Sequence, residues 1–595
     1  MVMPSIDPDT TPLYYLDNFR YLITFVAARY HNLLNAREKL FLTRFSDLPL
    51  PAQALYVRLL QRKGPYFRVD KIRYAEIPAI EASLESLCQQ SFAITCGLDH
   101  THVQVAMRNK VELLELLPSG QSKPSQLNRS QVVSLIVAGD VEVHRLNIVR
   151  LGFLDILDRF NFLFFGNSNQ NLNEFVLHEI GVMPYEDYAI DSAKLFRQRS
   201  DIDDALCLNK INRLARKLGA EIMEATRKPR KLPAPEAIAN PALRATYSLQ
   251  LGALIDILPA RPAAGFLSNQ FDRLVLKLAG YCERLDNLPT ARRLYELTQL
   301  PPAREKLGRL YQKINALDAL QQLCVAMLAD PKTEAETVFA EKKLIKLASA
   351  TAADNQLRVQ SGRPATLASK SAIKPAVNIE TIAFALRDDD SIESQVIDWY
   401  GTQNKPAQFV ENHLFTGLFG LACWDIIFSP VPGAFFHPFQ RGPADLYSGQ
   451  FRQARRLAFD KRFRELLRQG QLENQISQCF NEKFGRINPF VNWRRIALSD
   501  FCRFAEAIDA AALIQVFGRI LDDPRHHCSG FPDLLVWHGN QFELVEVKGP
   551  GDRLQDHQRR WQQFFLEIGL PAKVLHVASQ NDSDESGAAA SFRHA

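Results

Sequence analysis

Closely spaced cysteine pairs and long apolar runs are both absent from this chain of 595 residues. Its nine cysteines are scattered between Cys88 and Cys528 without a CxxC pair, which argues against a disulfide framework and against structural zinc. His526, His527 and Cys528 are potential metal ligands, but three adjacent side chains cannot easily surround one ion. No run of eighteen apolar residues exists, and no basic stretch precedes the short apolar segment near the amino terminus. We therefore expect reduced thiols and no membrane association, with a cytoplasmic location in a bacterium or a nuclear one in a eukaryote.

The most informative segment runs from Gly530 to Gly549, with the sequence GFPDLLVWHGNQFELVEVKG. Two β-rich runs, PDLLVW and QFELVEVK, are separated by Gly539-Asn540, a pair suited to a two-residue hairpin turn. That turn places Asp533 directly opposite Glu546, with Cβ atoms roughly 4.5–5.5 Å apart. Lys548 lies two residues beyond Glu546 and projects from the same face of the strand. The spacing predicts two acids and one amine at one point, as in a PD-(D/E)xK nuclease core.

Such a group suits the hydrolysis of phosphodiester bonds. Two carboxylates held this close repel each other unless a divalent cation lies between them. Mg²⁺ or Mn²⁺ prefers oxygen ligands and retains waters, one of which can become the nucleophile, while a lysine ammonium stabilises charge on the reacting oxygens. The alternative is a solvated ion pair on an amphipathic hairpin, because PD…ExK spacings also arise by chance. The shared face counts against it, since charges beside an apolar stripe are costly. That stripe consists of Leu535, Trp537, Phe542 and Leu544.

A helix and a further strand are predicted after the hairpin. Gly549-Pro550-Gly551 ends the second strand, and Asp552 with Gln555 three residues later is typical of a capping-box variant. The residues that then share one helical face are Leu554, Gln558, Trp561, Phe565 and Ile568. Residues 573–577 form the next predicted strand, so the order is that of a restriction-endonuclease-like α/β core. Gln558 either helps to orient the site or is an ordinary half-buried polar group.

The segments FPDLLVW and LVEVKGPGDRLQDHQRRW resemble the VRR-NUC domain of the Fanconi-associated nuclease family. Residues 409–428, FVENHLFTGLFGLACWDIIF, resemble that family's glutamate-bearing helix, and residues 14–22 and 55–63 resemble its opening helices. The similar stretches span most of the chain in the family's order. The hairpin turn is tighter than in some members, which leaves the pairing of the two acids intact.

The resemblance adds a third acid, Glu411, because the family's active-site glutamate lies four residues before the phenylalanine that matches Phe415. From the sequence alone, an acid near the start of an apolar helix more often serves only the helix dipole. The resemblance implies a metal-ligand set made of Glu411, Asp533, Glu546 and the backbone carbonyl of Val547. The implied metal is Mg²⁺ or Mn²⁺, and Lys548 is the implied catalytic lysine beside the three acids.

Strong charge of one sign is also absent, since the net charge of +5 is too small to prove a nucleic-acid partner. The distribution is more informative than the total. Basic residues are concentrated at Arg213, Arg216, Lys217 and 227–231, then at Arg452, Arg455, Arg456, Lys461, Arg462, Arg464 and Arg468, and more weakly at Arg486, Arg494 and Arg495 beside Trp493. One such cluster is typical of a solvated helix face. Several of them around a metal-nuclease motif, with Arg525 and the adjacent histidines, favour phosphate contacts that position a duplex.

The sequence predicts a multidomain, mainly α-helical protein with an α/β nuclease domain at its carboxyl end. Residues 1–140 are a predicted helical DNA-binding region, with a strand-like element near Tyr66–Ile77 and a SAP-like pair of helices at 110–117 and 129–137. The predicted regions that follow are a TPR-like helical region at 141–350, a linker at 351–376, the VRR-NUC nuclease domain at 377–580 and a disordered tail at 581–595. No clean 34-residue period marks the TPR-like region, which is a candidate surface for protein partners.

The resemblance implies a structure-specific, divalent-metal-dependent DNA nuclease acting on branched or flapped double-stranded DNA. Expected activities are 5′-flap cleavage and 5′–3′ trimming of the phosphodiesterase I type, in DNA repair that includes interstrand crosslinks. Members from higher organisms carry an amino-terminal zinc finger that this sequence lacks, which favours a bacterial origin. Two alternatives remain open: a junction-resolving or restriction-like nuclease, which usually acts as a dimer, and a catalytically inactive helical scaffold for DNA or proteins.

Overall fold

The computed structural model describes residues 12–96, 101–117, 127–138, 145–190, 194–226, 241–262, 265–356, 376–387, 389–468 and 470–579. The chain forms two compact units. The first unit comprises Met1–Val182 and Lys194–Leu310, and the second comprises Met183–Ala193 and Tyr311–Ala595. The predicted tail at 581–595 lies outside the described residues. Among the residues that are described, no helix is long and apolar enough to cross a membrane.

The first unit is mainly helical. Its helices are α1 (Tyr14–Tyr30), α2 (Ala36–Asp47), α3 (Leu50–Leu60), α4 (Ile80–Gln89), α5 (Thr101–Ala106), α6 (Lys110–Leu114), α7 (Arg129–Ala138), α8 (Leu154–Phe165), α9 (Asn173–Glu179), α10 (Arg199–Ala225), α11 (Pro241–Asp256), α12 (Phe266–Arg284) and α13 (Leu288–Glu296). Helix α14 (Ala303–Lys313) crosses the boundary at Leu310. Strands β1 (Tyr66–Arg68), β2 (Ala93–Thr95) and β3 (Ile148–Leu151) form an antiparallel sheet in the order β1-β3-β2.

This small sheet corrects the predicted boundary at residue 140. Strand β3 pairs with both β1 and β2, so the predicted division falls inside one sheet and the region from 141 onward is not wholly helical. The strand-like element predicted near Tyr66–Ile77 is present as β1, followed by a short 3₁₀ turn at Val69–Lys71. Helices α6 and α7 pack around a small core, although α6 ends at Leu114. Most of their connection, 118–126, lies outside the described residues.

The second unit contains the remaining elements. Its helices are α15 (Leu317–Ala329), α16 (Glu334–Gln356), α17 (Ile392–Thr402), α18 (Leu414–Ala422), α19 (Trp424–Ile427), α20 (Gln450–Ala454), α21 (Arg456–Leu466), α22 (Gln471–Lys483), α23 (Leu498–Ala507), α24 (Ala510–Asp522) and α25 (Asp556–Glu567). Its strands are β4 (Ile379–Phe384), β5 (Ala407–Phe409), β6 (Leu534–His538), β7 (Gln541–Lys548) and β8 (Ala572–Ser579). Helix α16 continues to Gln356, so the predicted linker does not begin at 351, and its residues 357–375 lie outside the described part of the chain.

The five strands form one mixed sheet in the order β4-β8-β7-β6-β5. The β4–β8 and β7–β8 pairs are parallel, whereas β6–β7 and β5–β6 are antiparallel. A parallel pair needs a crossover connection, and α25 supplies it between β7 and β8. The predicted order of two strands, a helix and a third strand is therefore confirmed. Lys573 in β8 contacts Glu380 of β4 at 2.7 Å and Glu543 of β7 at 2.8 Å, which ties three strands together.

Alternation along β6 and β7 divides the core into two layers. Leu535, Trp537, Phe542 and Leu544 join the larger cluster, which includes residues of α18, α22, α23, α24 and α25. Leu534, Val536, Val545 and Val547 join the smaller cluster with Val396 and Tyr400 of α17. Strands buried on both faces need helices on both sides, which is the architecture of an α/β domain. The acids and the lysine therefore lie on a sheet that is held on both faces.

Candidate active site

The β6–β7 hairpin has the predicted register. Leu534 pairs with Val545, Trp537 with Phe542 and His538 with Gln541, so the connection consists of Gly539 and Asn540. Gly539 has a φ of +66°, a left-handed conformation that glycine adopts at little cost and that two-residue hairpin turns require. Asp533 and Glu546 are the next residues along the two segments beyond the Leu534–Val545 pair. The predicted two-residue turn and the register that it sets between β6 and β7 are confirmed.

Asp533 lies immediately before β6 and joins three segments of the site. Its Oδ2 accepts a hydrogen bond from the backbone N–H of Val547 at 2.8 Å, which connects it to β7 between Glu546 and Lys548. Its backbone carbonyl accepts the N–H groups of Val410 at 2.8 Å and Glu411 at 3.2 Å. These hydrogen bonds place the backbone of Glu411, the acid implied by the family resemblance, next to Asp533.

Glu546 and Lys548 form a buried pair on β7. The Lys548 Nζ donates to Glu546 Oε1 at 2.7 Å, and the two residues are 9% and 0% exposed, respectively. The alternative of a solvated surface ion pair is therefore wrong. Glu546 Oε2 is buried and has no hydrogen-bond partner within the described residues. A buried carboxylate oxygen without a donor is costly, and active sites are where such costs are usually found.

The two hairpin acids have raised pKa values. Burial is the main cause for each, because it penalises the charged form. For Glu546 the charge of Asp533 raises the pKa further, while the Lys548 ammonium partly offsets both effects. For Asp533 the hydrogen bond from Val547 lowers the pKa. The charge of Glu411 raises the pKa of both acids, so all three carboxylates belong to one electrostatic group.

Glu411 is not part of a helix, which corrects one expectation. It lies in a turn between β5 and α18, three residues before Leu414, where α18 begins. Glu411 therefore lies before the first turn of α18, not within it. The pairing of β5 with β6 brings this turn to Asp533, since Phe409 pairs with Leu534. The position of Glu411 depends on tertiary pairing rather than on local helix structure.

The side chains fit a cation only in part. Within the described residues, no three His, Cys, Asp or Glu side chains are placed closely enough to form a ready metal-ligand group. Lys548 contacts one oxygen of Glu546, and the Asn412 amide contacts one oxygen of Glu411. The orphaned Oε2 of Glu546 and the raised pKa values of the two hairpin acids are the features that a cation would relieve.

Aromatic side chains support the segment before Asp533. The ring of Phe531 lies 4.2 Å from that of Trp561 on α25 and 5.3 Å from that of Phe415 on α18, measured between ring centroids. Trp561 Nε1 donates to the carbonyl of Ser529 at 3.1 Å. Gly530, with φ +86°, leaves room for His557, since a Cβ there would lie 2.3 Å from the His557 ring. This packing fixes the approach to Asp533.

Helix α25 begins later than predicted. Its N-cap is Gln555, whose side chain forms a capping box with Gln558, and the Oε1 of Gln558 accepts the Gln555 N–H at 3.0 Å. The Gln558 side chain therefore caps the helix, and no contact among the described residues supports the alternative that it orients the site. Asp552 instead closes a turn, its N–H bonding the carbonyl of Gly549 at 3.1 Å.

The basic clusters divide into structural and exposed residues. Arg455 is buried and pairs with Asp445 at 2.7 Å, and Arg462 donates to the carbonyl of Ala422 and to Asp425. Arg452 pairs with Asp522. The exposed members are Arg213, Arg216 and Lys217 on α10, Arg456, Lys461 and Arg464 on α21, Arg468 just after it, and Arg494 with Arg495. Residues 227–231 lie outside the described part of the chain.

His526, His527 and the neighbouring Arg525 each contact another residue of the protein. His526 Nδ1 lies 2.7 Å from Asp523 Oδ2, and His527 Nδ1 lies 2.6 Å from the carbonyl of Arg519. Burial raises the pKa of the Cys528 thiol to about 12, so the thiolate that binds metals is disfavoured. The Arg525 guanidinium lies 5.0 Å from the centroid of the Tyr447 ring.

Asn412 is a residue of the site that the sequence did not single out. It has a φ of +54° and contacts both Glu411 and the segment before Asp533. One feature of the sequence could have indicated it. An asparagine follows the family's glutamate, and asparagine is one of the few residues that readily adopt the left-handed region.

Known proteins match this chain over nearly its whole length. A family model described as "FAN1, HTH domain" matches residues 13–94, and one described as "VRR-NUC domain" matches residues 467–579. The Fanconi-associated nuclease 1 homolog of Pseudomonas aeruginosa is 30% identical over 585 residues, covering 95% of this chain and 96% of that protein. The homolog from Arabidopsis thaliana is 24% identical over 96% of this chain and 67% of its own length.

Solved structures of a Fanconi-associated nuclease also match this chain. The crystal structure of paFAN1 bound to DNA with a two-nucleotide 5′ flap and a gap aligns with a TM-score of 0.79 and 29% identity. The alignment covers 96% of this chain and 99% of that one. The match to the VRR-NUC domain includes Asp533, Glu546 and Lys548, whereas Glu411 lies before it.

Proposed function

Because the chain belongs to the Fanconi-associated nuclease family, we propose that it is a structure-specific DNA nuclease that requires a divalent metal ion. The observation that carries the proposal is the buried group of Asp533, Glu546 and Lys548 on paired strands. Two buried acids with raised pKa values, one of which has a carboxylate oxygen without a donor, serve catalysis better than stability. A phosphodiester is the substrate for which two acids and a lysine are suited.

Each residue of the site has a distinct role in the proposed reaction. Asp533, Glu546, Glu411 and the backbone carbonyl of Val547 would hold Mg²⁺ or Mn²⁺ through oxygen atoms. When bound there, such a cation would supply Lewis acidity to the scissile phosphate and to the attacking water. Lys548 directs its ammonium donors at charge that develops on the phosphate or on the attacking oxygen. Glu546 Oε1 holds that ammonium in place by the hydrogen bond of 2.7 Å.

The proposed substrate is branched or flapped double-stranded DNA. The similar paFAN1 structures contain DNA with one-nucleotide and two-nucleotide 5′ flaps and a gap, which supports a flap as the preferred form. The proposed activities are 5′-flap cleavage and 5′–3′ trimming of the phosphodiesterase I type, in DNA repair that includes interstrand crosslinks. The exposed basic residues of α10 and α21 are candidate phosphate contacts. The proposed location is the bacterial cytoplasm, where the chromosome lies, with protein partners at the TPR-like region.

The test is cleavage of end-labelled DNA by the full-length protein. Flap, nicked, four-way-junction and plain duplex substrates are compared in Mg²⁺, in Mn²⁺ and in chelator, with oligomeric state measured in the same buffer. We expect metal-dependent cuts on one strand near the flap junction, and continued trimming from a 5′ end. Paired symmetric cuts by a dimer would favour the junction-resolving or restriction-like alternative. DNA binding without cleavage under every metal condition would favour the inactive scaffold.

A further inference from the structure

Asn412 connects the turn that bears Glu411 with the segment that bears Asp533. Its Oδ1 accepts the backbone N–H groups of Gly530 at 2.9 Å and Phe531 at 3.3 Å. Its Nδ2 donates to Glu411 Oε1 at 2.9 Å. One planar amide therefore contacts both segments, and it fixes the carboxylate of Glu411 relative to the chain that leads into Asp533.

The chemistry of the partners determines which end of the amide faces which segment. The two backbone N–H groups can only donate, and the Glu411 carboxylate can only accept, so the opposite orientation would lose all three hydrogen bonds. An amide with distinct partners at both ends has one acceptable position. A donor that contacts a carboxylate also makes the stronger, charge-assisted kind of hydrogen bond.

The backbone supports the same arrangement. Asn412 has a φ of +54°, in the left-handed region that most side chains avoid but that asparagine and glycine adopt. Its carbonyl accepts the hydroxyl of Thr416 at 2.5 Å in the first turn of α18. Non-glycine residues held in this region usually have a reason in the surrounding structure. Here the conformation directs the side chain at Gly530 and Phe531.

We propose that Asn412 is a positioning residue that holds the Glu411 carboxylate in one place beside the segment that leads into Asp533, an inference that rests on the proposed nuclease function. Glu411 is half-buried, and its negative charge acts on both other acids, so mutual repulsion favours rotation of its side chain away from them. The hydrogen bond from Nδ2 to Glu411 Oε1 restricts the rotation of the Glu411 side chain. Asn412 contacts neither the scissile phosphate nor a metal in this proposal, and it acts only through Glu411.

Two substitutions separate this role from simple anchoring of the turn. Asn412→Gly removes every side-chain contact while keeping a residue that tolerates positive φ. Asn412→Asp keeps an oxygen for the Gly530 and Phe531 N–H groups but replaces the donor to Glu411 with a second carboxylate oxygen. Matched controls are Asn404→Gly and Asn404→Asp, because Asn404 also has a positive φ, +59°, and is exposed in the turn before β5. Glu411→Gln serves as the reference for a lost carboxylate.

Three measurements are made on each full-length variant: the melting temperature, kcat for flap cleavage at saturating metal, and Mn²⁺ binding without DNA by calorimetry. We expect Asn412→Gly and Asn412→Asp both to lower kcat by at least about tenfold, since misplacement of a reacting group by ~1 Å can cost about a hundredfold. Asn412→Gly is expected to weaken Mn²⁺ binding, so that its affinity approaches that of the Glu411→Gln reference. Asn412→Gly is expected to lower the melting temperature more than Asn412→Asp does, and the Asn404 variants should match the wild type.

An Asn412→Asp protein that regains both wild-type stability and wild-type kcat would overturn the inference, because the amide would then only anchor the turn. Wild-type kcat in Asn412→Gly would overturn it as well. Failure of the proposed function is a different result, in which the unmodified protein does not cleave flap DNA in any metal.

Discussion

The ion pair of Lys548 with Glu546 is buried, which distinguishes it from ordinary surface pairs. Exposed pairs contribute only about 0–1 kcal/mol, whereas Lys548 is 9% exposed and its ammonium contacts the carboxylate of the fully buried Glu546. The sequence predicted the shared position of Asp533, Glu546 and Lys548 because a strand has a period of two and the turn leaves one register. Glu411 and Asn412 could not be placed by spacing, since only the pairing of β5 with β6 brings them to Asp533.

Replacing the lysine tests whether its ammonium addresses the reacting atoms. Lys548→Arg keeps the charge but replaces a compact ammonium with a wide, planar guanidinium. We expect both Lys548→Arg and Lys548→Ala to lose about a hundredfold in kcat, with DNA binding retained. Single-turnover cleavage beside a binding titration measures both. An active Lys548→Arg enzyme would remove the lysine from the mechanism.

The raised pKa values of the hairpin acids predict how stability depends on pH. A carboxyl whose pKa is higher in the folded protein than in the unfolded one destabilises the fold as the pH rises above about 4. Burial is the main cause for Asp533, so Asp533→Asn should remove that penalty. In chelator we expect the melting temperature of Asp533→Asn to exceed that of the wild type more at pH 8 than at pH 5. The exposed Asp398→Asn serves as control, and a gap that does not widen with pH would contradict the prediction.

At the scale of elements, the hairpin was predictable and the helix start was not. Two β-rich runs around Gly539-Asn540 admit one register, which the structure has. The start of α25 was placed too early because Asp552 and Gln555 satisfy a capping pattern as well as Gln555 and Gln558 do. The turn that Asp552 makes with Gly549 decides between them. Local capping signals locate a helix end only to within a few residues.

The turn glycine tests the hairpin as an element. Gly539 has a φ of +66°, where a side chain costs roughly 1–2 kcal/mol, so Gly539→Ala should lower the free energy of unfolding by about that amount. Gly401→Ala is the matched control, because Gly401 lies in the last turn of α17 with open space around its Cβ position. Denaturant unfolding of both variants measures the difference. Equal stability of the two would show that the turn does not restrain the hairpin.

At the scale of the whole molecule, Met183–Ala193 belongs to the second unit although the chain on either side of it belongs to the first. The sequence predicted this stretch as part of the helical region at 141–350, because periodicity does not reveal which core a connection joins. Tyr188 stacks on Phe435 at 4.0 Å between ring centroids, and Glu186 accepts Trp424 Nε1 at 2.9 Å. The second unit therefore needs a segment from much earlier in the chain.

Removal of the Glu186 carboxylate tests this dependence. Glu186 is buried and also pairs with Lys483 at 2.9 Å, so Glu186→Ala leaves a buried indole N–H and an ammonium without their acceptor. We expect a loss of about 1–3 kcal/mol or more in the stability of the second unit. Asp187→Ala next to it is the control, because the Asp187 side chain is 88% exposed. Thermal unfolding that is unchanged in Glu186→Ala would show that this anchor is dispensable.

The most direct test of the central claim removes the two hairpin acids one at a time. Asp533→Ala and Glu546→Ala are assayed on 5′-flap DNA in Mg²⁺ and Mn²⁺, with binding to the same DNA measured in parallel and Asp398→Ala as control. We expect each acid variant to lose cleavage while binding is largely retained, because affinity rests mainly on phosphate contacts elsewhere. Near wild-type cleavage by both acid variants would contradict the assignment of this site.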